Sequence, residues 1–411
     1  MPTPSSTASA TSQLLVGLVI GLFTVTVFYG CSQFAWGVYD TKYNFMGRSP
    51  AERREAFKTE AAFYYNFFED VVDQKSMDDG LALLAAHPSV EAPKTIDTIM
   101  RFNIHPEIFI GWAYRFFLRD NHILAIGFVD SIVFYTKSAM TLWGVDKAWL
   151  FIAATLGGGG DLAAAFSGLV TVMCGFGNVN YYCRICNHPP LRENFGMPIV
   201  ALQYVGLFLA LPVNNKAGNG FQGRIVRYMG LALWFIGVVC LLLSWQLGLF
   251  ILFGQVTSLI IVCGVYKHNE TVRSRSEQLL QTTLAALLVT LYYQHGNPLT
   301  LHSLTLSYVA AAVAVISGVA KHWKPWQKIV TASLHPIVEA LALCLTSAVV
   351  MIVLKKILQI VFGGGNEGDH IFAVLMTKLG YDEYENLDTV LYNTMSVFNT
   401  NWAMLGYVQQ S

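Results

Sequence analysis

Between Leu14 and Leu354 the chain returns repeatedly to apolar runs long enough to cross a bilayer. Hydrocarbon offers no water to backbone N–H and C=O groups, so such a run must form a complete helix of about 20 residues. The runs are Leu14–Trp36, Leu162–Gly177, Met197–Val213, Tyr228–Trp245, Gly248–Tyr266, Leu279–Tyr293, Leu301–Ala320 and Ile337–Leu354. Leu162–Gly177 and Leu279–Tyr293 are short and need their flanks to reach across. A ninth, Met140–Gly159, is interrupted by Asp146 and Lys147. The first run lacks a basic leader and is too long for a cleaved signal, so it reads as a retained anchor. The fold class is an all-α polytopic membrane protein.

Composition agrees. Only 13% of residues are charged, against about a quarter in soluble domains. The formal net charge is zero, so nothing points to nucleic acid. Cys31, Cys174, Cys240, Cys263 and Cys344 fall in apolar runs and make no disulfide framework. Cys183 and Cys186 form a CxxC with no second pair, a weak sign of metal or redox chemistry.

Loop charge sets an orientation, because Lys and Arg accumulate on the cytoplasmic side. Asn214–Arg227 holds Lys216, Arg224 and Arg227; Lys267–Glu277 holds Lys267, Arg273 and Arg275; Lys321–Lys328 holds three lysines. The connections Trp245–Leu247 and His295–Thr300 hold neither Lys nor Arg. Nine spans with a cytoplasmic N-terminus fit this alternation. The chain then divides into an N-terminus with the first span (1–36), a large loop (37–139), a bundle of about eight further spans (140–362) and a tail (363–411). Loop and tail fall outside the cytosol. The tail carries Glu367, Asp369, Asp382, Glu383, Glu385 and Asp388 against Lys378. The sequon at Asn269 falls on the cytoplasmic side and should stay unmodified.

Within the loop, Ser49-Pro50-Ala51-Glu52 reads as a capped helix start. Helical periodicity then continues to about Asp73. At 100° per residue Phe57, Phe63, Tyr64, Phe67 and Val71 surround Glu60, leaving one acid in an aromatic stripe. A carboxylate on a buried face is costly and suits a general base; the plainer reading is an interfacial helix whose Glu60 reaches the polar rim. Ile108–Leu118 and Ile123–Trp143 are amphipathic or apolar stretches expected to lie on the bilayer surface.

Five segments together resemble the dumpy-nineteen-like protein C-mannosyltransferase family. Lys58-Thr59-Glu60-Ala61-Ala62-Phe63-Tyr64-Tyr65 is similar to its "RTE…LYY" motif, and Arg101-Phe102-Asn103-Ile104-His105-Pro106-Glu107 to its "RFNxYPE". Pro189-Pro190-Leu191-Arg192-Glu193-Asn194-Phe195 matches "PPLRESF"; Trp245-Gln246 with Gln255 resembles "PWQF…TQ"; Asp388-Thr389-Val390-Leu391-Tyr392 resembles "DFDTLLYT". Order and spacing hold from about residue 14 to 400.

The resemblance implies a GT-C type glycosyltransferase of the endoplasmic reticulum membrane, a helical bundle with amphipathic lumenal loop helices. It would transfer mannose from dolichyl-phosphate-mannose to C2 of tryptophan in WxxW-type motifs of secreted or membrane proteins. The donor is a lipid substrate, and no metal or other cofactor is implied. Glu60 matches the family's catalytic acid. Arg192 and Arg184 match arginines suited to the donor phosphate. Tyr64, Arg101, Glu107 and Glu193 lie in the matched motifs as supporting residues, and Lys355 could also meet phosphate. His335 and Glu339 read as a polar pair far from the chemistry. Family members continue well beyond the equivalent of Ser411, so an acceptor-binding, inactive relative is the alternative function. A transporter is the third, disfavoured by the lack of an internal repeat.

Overall fold

The computed structural model describes residues 4–57, 60–91, 93–121, 130–176, 189–211, 221–319 and 335–362. Helix α1, Pro4–Tyr43, leads into a loop region of short elements. These are α2 (Pro50–Glu55), α3 (Glu60–Asp73), α4 (Met77–Ala85), an antiparallel hairpin of β1 (His87–Glu91) and β2 (Lys94–Ile96), α5 (Thr98–Arg101) and α6 (His105–Tyr114), which runs on into a π-helical turn, Arg115–Arg119. The bundle follows as α7 (Ser131–Gly157), α8 (Leu162–Phe176), α9 (Arg192–Ala210), α10 (Phe221–Ser244), α11 (Gly248–Val265), α12 (Glu270–Tyr293), the short α13 (Pro298–Leu301), α14 (Leu304–Val313) with a π-helical extension to Val319, and α15 (Pro336–Phe362).

Four stretches are long and apolar enough to cross a membrane: Leu14–Tyr43, Gly223–Ser244, Gly248–Val265 and Pro336–Phe362. Their outward side chains, Leu22, Ile236, Phe250 and Ile352 among them, are exposed and apolar, as a lipid-facing surface requires. The chain is an all-α polytopic membrane protein. The described parts of the expected runs fall mainly on helices; Leu301–Ala320 is split at His302 and Ser303 between α13 and α14, and Leu162–Gly175 is short, as read. Of the ninth run, Met140–Gly157 lies within the unbroken α7, which ends before Gly158 and Gly159. Asp146 and Lys147 do not interrupt it, because they pair with each other at 2.8 Å and are both buried. The ammonium also lies over the Trp143 ring, and pairing offsets part of the cost of burying each charge.

Small residues and a few polar links join the bundle, as expected where lipid removes the hydrophobic drive between helices. A Cβ at Gly144 of α7 would fall on the Ser32 hydroxyl and the Phe28 carbonyl of α1. The Trp234 indole N–H donates to Thr283 at 2.8 Å, tying α10 to α12, and Gln255 donates to Gln203 at 2.9 Å, tying α11 to α9. Near the cytoplasmic end in the charge-based topology, Glu339 pairs with Lys267 at 3.4 Å rather than with His335. The mate comes from α11's end, which sequence spacing could not show.

Two further expectations are corrected. The capping box at Ser49 and Glu52 is present, but α2 ends at Glu55 and the chain restarts at Glu60. Glu60 therefore opens α3, exposed, instead of sitting mid-helix on a buried stripe. The aromatic residues of the supposed stripe serve two cores. Phe57 packs with Tyr65, Phe68 and Tyr135, while Phe63, Phe67 and Val71 pack with Leu84, Ile99 and Ile104. Nor does Ser131–Trp143 lie on a surface: it is the first half of α7, packed against α1 and α9. Residues 123–129 of the stretch Ile123–Trp143 fall outside the described residues.

Arg115 fixes the end of α3. Its guanidinium donates to the carbonyls of Val71, Gln74 and Lys75 at 3.2, 2.7 and 2.8 Å. The loop is sewn to the bundle along one seam. Asn103 Nδ2 and Gln294 Nε2 both donate to the Leu242 carbonyl, at 2.5 and 3.0 Å. His295 bonds Asp97 at 2.6 Å.

Candidate functional site

The seam carries a buried polar cluster built from four elements. Arg192 is the first residue of α9, placed there by the turn at Pro189-Pro190-Leu191. It is 6% exposed. One terminal nitrogen donates to the Asn103 carbonyl at 2.9 Å; the other lies 2.7 Å from Glu107 Oε1. Its central carbon stands 3.4 Å from the centre of the Tyr64 ring and 5.5 Å from that of Phe195.

Glu107, in the first turn of α6, is fully buried and, beside this ion pair, accepts a hydrogen bond from the Tyr135 hydroxyl at 2.8 Å. Burial pushes its carboxyl above the usual carboxylate range, against the pull of Arg192. Tyr64 is half-buried, and its phenol is raised by burial, with the charges of Glu60 and Glu107 adding to that rise and Arg192 opposing it. Glu60 lies one helical turn before Tyr64 on the same side of α3. A carboxylate also suits the positive end of the helix dipole there. The two motif segments around Glu60 and Arg192, far apart in sequence, thus meet through Tyr64.

Beside the cluster lies a cavity of about 910 Å³, almost wholly apolar. Phe195 and His105 form its wall on the Arg192 side; Ile108 and Trp112 of α6 face Cys240 and Leu243 of α10. His105 donates through Nε2 to the Tyr293 carbonyl at 3.1 Å. Burial holds its imidazole down at about 4, so it is neutral at physiological pH. Phe195, which the Arg192 guanidinium faces at 5.5 Å, is the residue that the cluster and the cavity share.

The other residues singled out in the sequence are spread more widely. Glu193 follows Arg192 in α9, half-buried, and Arg101 ends α5 as an exposed residue. Lys355 is half-buried on α15, which packs on α11 and α14 rather than on the loop. Arg184, the Cys183–Cys186 pair and the Asp388–Tyr392 motif lie outside the described residues. Among the described residues no three His, Cys, Asp or Glu side chains converge as metal ligands. Sequence reasoning missed Asn103 and His105 as participants, although both stand inside the matched Arg101–Glu107 run. It also missed Tyr135, which has no motif and joins only because α7 passes under α6.

Comparison with known proteins gives this cluster a family. The family model described as "Dpy19: Q-cell neuroblast polarisation" matches residues 25–405. The human protein named Protein C-mannosyl-transferase DPY19L1 is 26% identical over 88% of this chain and 53% of its own length. The Caenorhabditis elegans protein named C-mannosyltransferase dpy-19 is 22% identical over 94% of this chain and 55% of its own. The chain thus spans about half the length of these relatives. With a family match across nearly all its residues, the chain belongs to the Dpy19 family.

Proposed function

We propose that the chain is a protein C-mannosyltransferase, moving mannose from dolichyl-phosphate-mannose to C2 of a tryptophan indole. Two relatives are named C-mannosyltransferases. The observation that carries the reading is the placement of Glu60 one turn from the Tyr64–Arg192 stack, with Phe195 on the far side of Arg192 lining a large apolar cavity. The isoprenoid chain would occupy the cavity and the phosphate the polar cluster. In the charge-based topology all of this faces the lumen of the endoplasmic reticulum, where secreted acceptors pass.

The chemistry follows from those positions. Indole C2 attacks the anomeric carbon as the C–O bond to phosphate breaks, and the phosphate leaves with the electron pair. The resulting cationic indole loses its C2 proton to a base, and Glu60, exposed to an arriving acceptor, takes it. The growing charge on phosphate calls for a fixed cation. Arg192 is that cation, through its unpartnered Nε edge or by release from Glu107.

One observation favours a second reading. Arg192 is already held by Asn103, Glu107 and Tyr64, as in a protein that binds acceptors without transferring sugar. Mass spectrometry separates the two, scored as hexose on the tryptophans of a WxxW acceptor in cells lacking the native enzyme. The transferase reading predicts modification, and a loss of about 10²–10⁴-fold in Glu60→Gln at equal expression. No hexose with the unaltered chain would leave the binding reading standing, and undiminished activity in the variant would remove Glu60 from its role.

A further inference from the structure

Helix α6 and its π-helical turn have inverted polarity. Two of their charged members, Glu107 and Arg115, are 0% and 4% exposed, with Arg119 exposed at the end of the turn, while Phe109, Trp112 and Phe116 are 66%, 42% and 41% exposed. Spacings of three and four residues place those three rings on one side. They also touch: Phe109 and Trp112 stand 5.8 Å apart, and Trp112 stacks on Phe116 at 5.4 Å with the planes within 16°. A loop helix surrounded by water would turn such a row inward, because apolar area left in water is unfavourable.

The level of this row is fixed by its neighbours. The bond from His105 to the Tyr293 carbonyl puts the start of α6 beside the last turn of α12. There Tyr292 and Tyr293 are themselves exposed, as aromatic residues are at a membrane–water boundary. Phe109 and Trp112 also share the cavity wall with Leu142, Cys240 and Leu243 of the bundle, so the exposed row continues the apolar surface of bundle helices. Arg119, at the far end, bonds the Gln74 carbonyl and supplies a polar rim.

We propose that α6 and the turn after it are sunk side-on into the edge of the bilayer, with Phe109, Trp112 and Phe116 against phospholipid acyl chains. The inference rests on the membrane fold and not on the transferase reading. It makes the outer wall of the cavity, Phe109 and Trp112, a boundary with lipid.

The test places the photo-cross-linking residue p-benzoylphenylalanine at Phe109, Trp112 or Phe116 in the full chain, held in phosphatidylcholine nanodiscs. Phospholipid adducts are expected by mass spectrometry at all three positions and not at Ser89, on the exposed strand β1. Cross-links to a second copy or to another polypeptide would overturn the proposal. A second measurement uses Trp112→Cys and Ser89→Cys with a charged maleimide, followed peptide by peptide. A thiol in hydrocarbon stays protonated, so position 112 should react about tenfold or more slowly than position 89. Equal rates would show that water covers the row.

Discussion

The Arg192 guanidinium stacks on the Tyr64 ring at 3.4 Å while its edge holds Glu107, so α9, α3 and α6 are fixed against one another by one side chain. A desolvated cation over an aromatic face contributes about 2 kcal/mol. The stack therefore does more than fill space: it sets the angle at which α3 presents Glu60.

Breaking the Arg192–Glu107 pair from either side should be costly. Arg192→Ala or Glu107→Ala leaves a buried charge unpaired and should destabilise by about 3–5 kcal/mol. The double variant Arg192→Met with Glu107→Leu should lose much less than the sum of the two, because neither charge remains. Thermal unfolding in detergent would measure it, and strictly additive losses would mean that the two do not interact.

Arg192→Lys separates charge from shape. Lysine keeps the cation but has neither the planar face for Tyr64 nor the fork that reaches Asn103 and Glu107 together. If the transferase reading holds, hexose transfer should fall at least tenfold while expression is retained, a loss of about 1.4 kcal/mol in transition-state stabilisation. Full activity in the lysine variant would reduce Arg192 to a simple charge.

His105 should give the loop a pH response. Burial holds its folded value near 4, below the ordinary 6.5 of a histidine, so the neutral ring is favoured in the fold. That stability is fully present above pH 6.5 and is lost as the pH falls toward 4. Between pH 6.5 and 5 the loss amounts to about 2 kcal/mol. His295 and Arg192 contribute by opposing a second positive charge. Glutamine at this position can still donate to the Tyr293 carbonyl, so His105→Gln should flatten the melting temperature over this window. An unchanged slope would assign it to other groups.

Much of this was legible beforehand. Apolar runs marked the bundle helices, and the Ser49 and Pro50 pair marked the start of α2 to the residue. What periodicity could not reveal was the break before Glu60. Phases measured along one helix assume one helix, and the cores that draw Phe57 and Phe63 apart are built from distant residues such as Tyr135 and Ile104. The pairing of Asp146 with Lys147 was equally hidden. Hydropathy counts each as a fault, whereas together they form a closed internal pair.

Arg115 carries a local prediction. It closes the carbonyl end of α3, and Arg115→Gln would leave the Lys75 carbonyl without that donor and the Gln74 carbonyl with Arg119 alone. Each hydrogen bond lost at this partly exposed turn should cost about 0.5–1.5 kcal/mol. Limited proteolysis should then cut between Asp73 and Met77 faster than in the unaltered chain, with the bundle left intact. Unchanged cleavage would show that the turn is held by other contacts.

The Leu242 carbonyl has one further consequence. It serves Asn103 of the loop and Gln294 after α12 at once, so three distant parts of the chain meet at a single oxygen atom. Such a joint acts as a rivet. When bilayer thickness or curvature tilts α10, the loop must tilt with it, carrying the neighbouring carboxylate and guanidinium along. The geometry beside Glu60 is in that sense coupled mechanically to the lipid environment, and a membrane of different thickness would act on it from a distance.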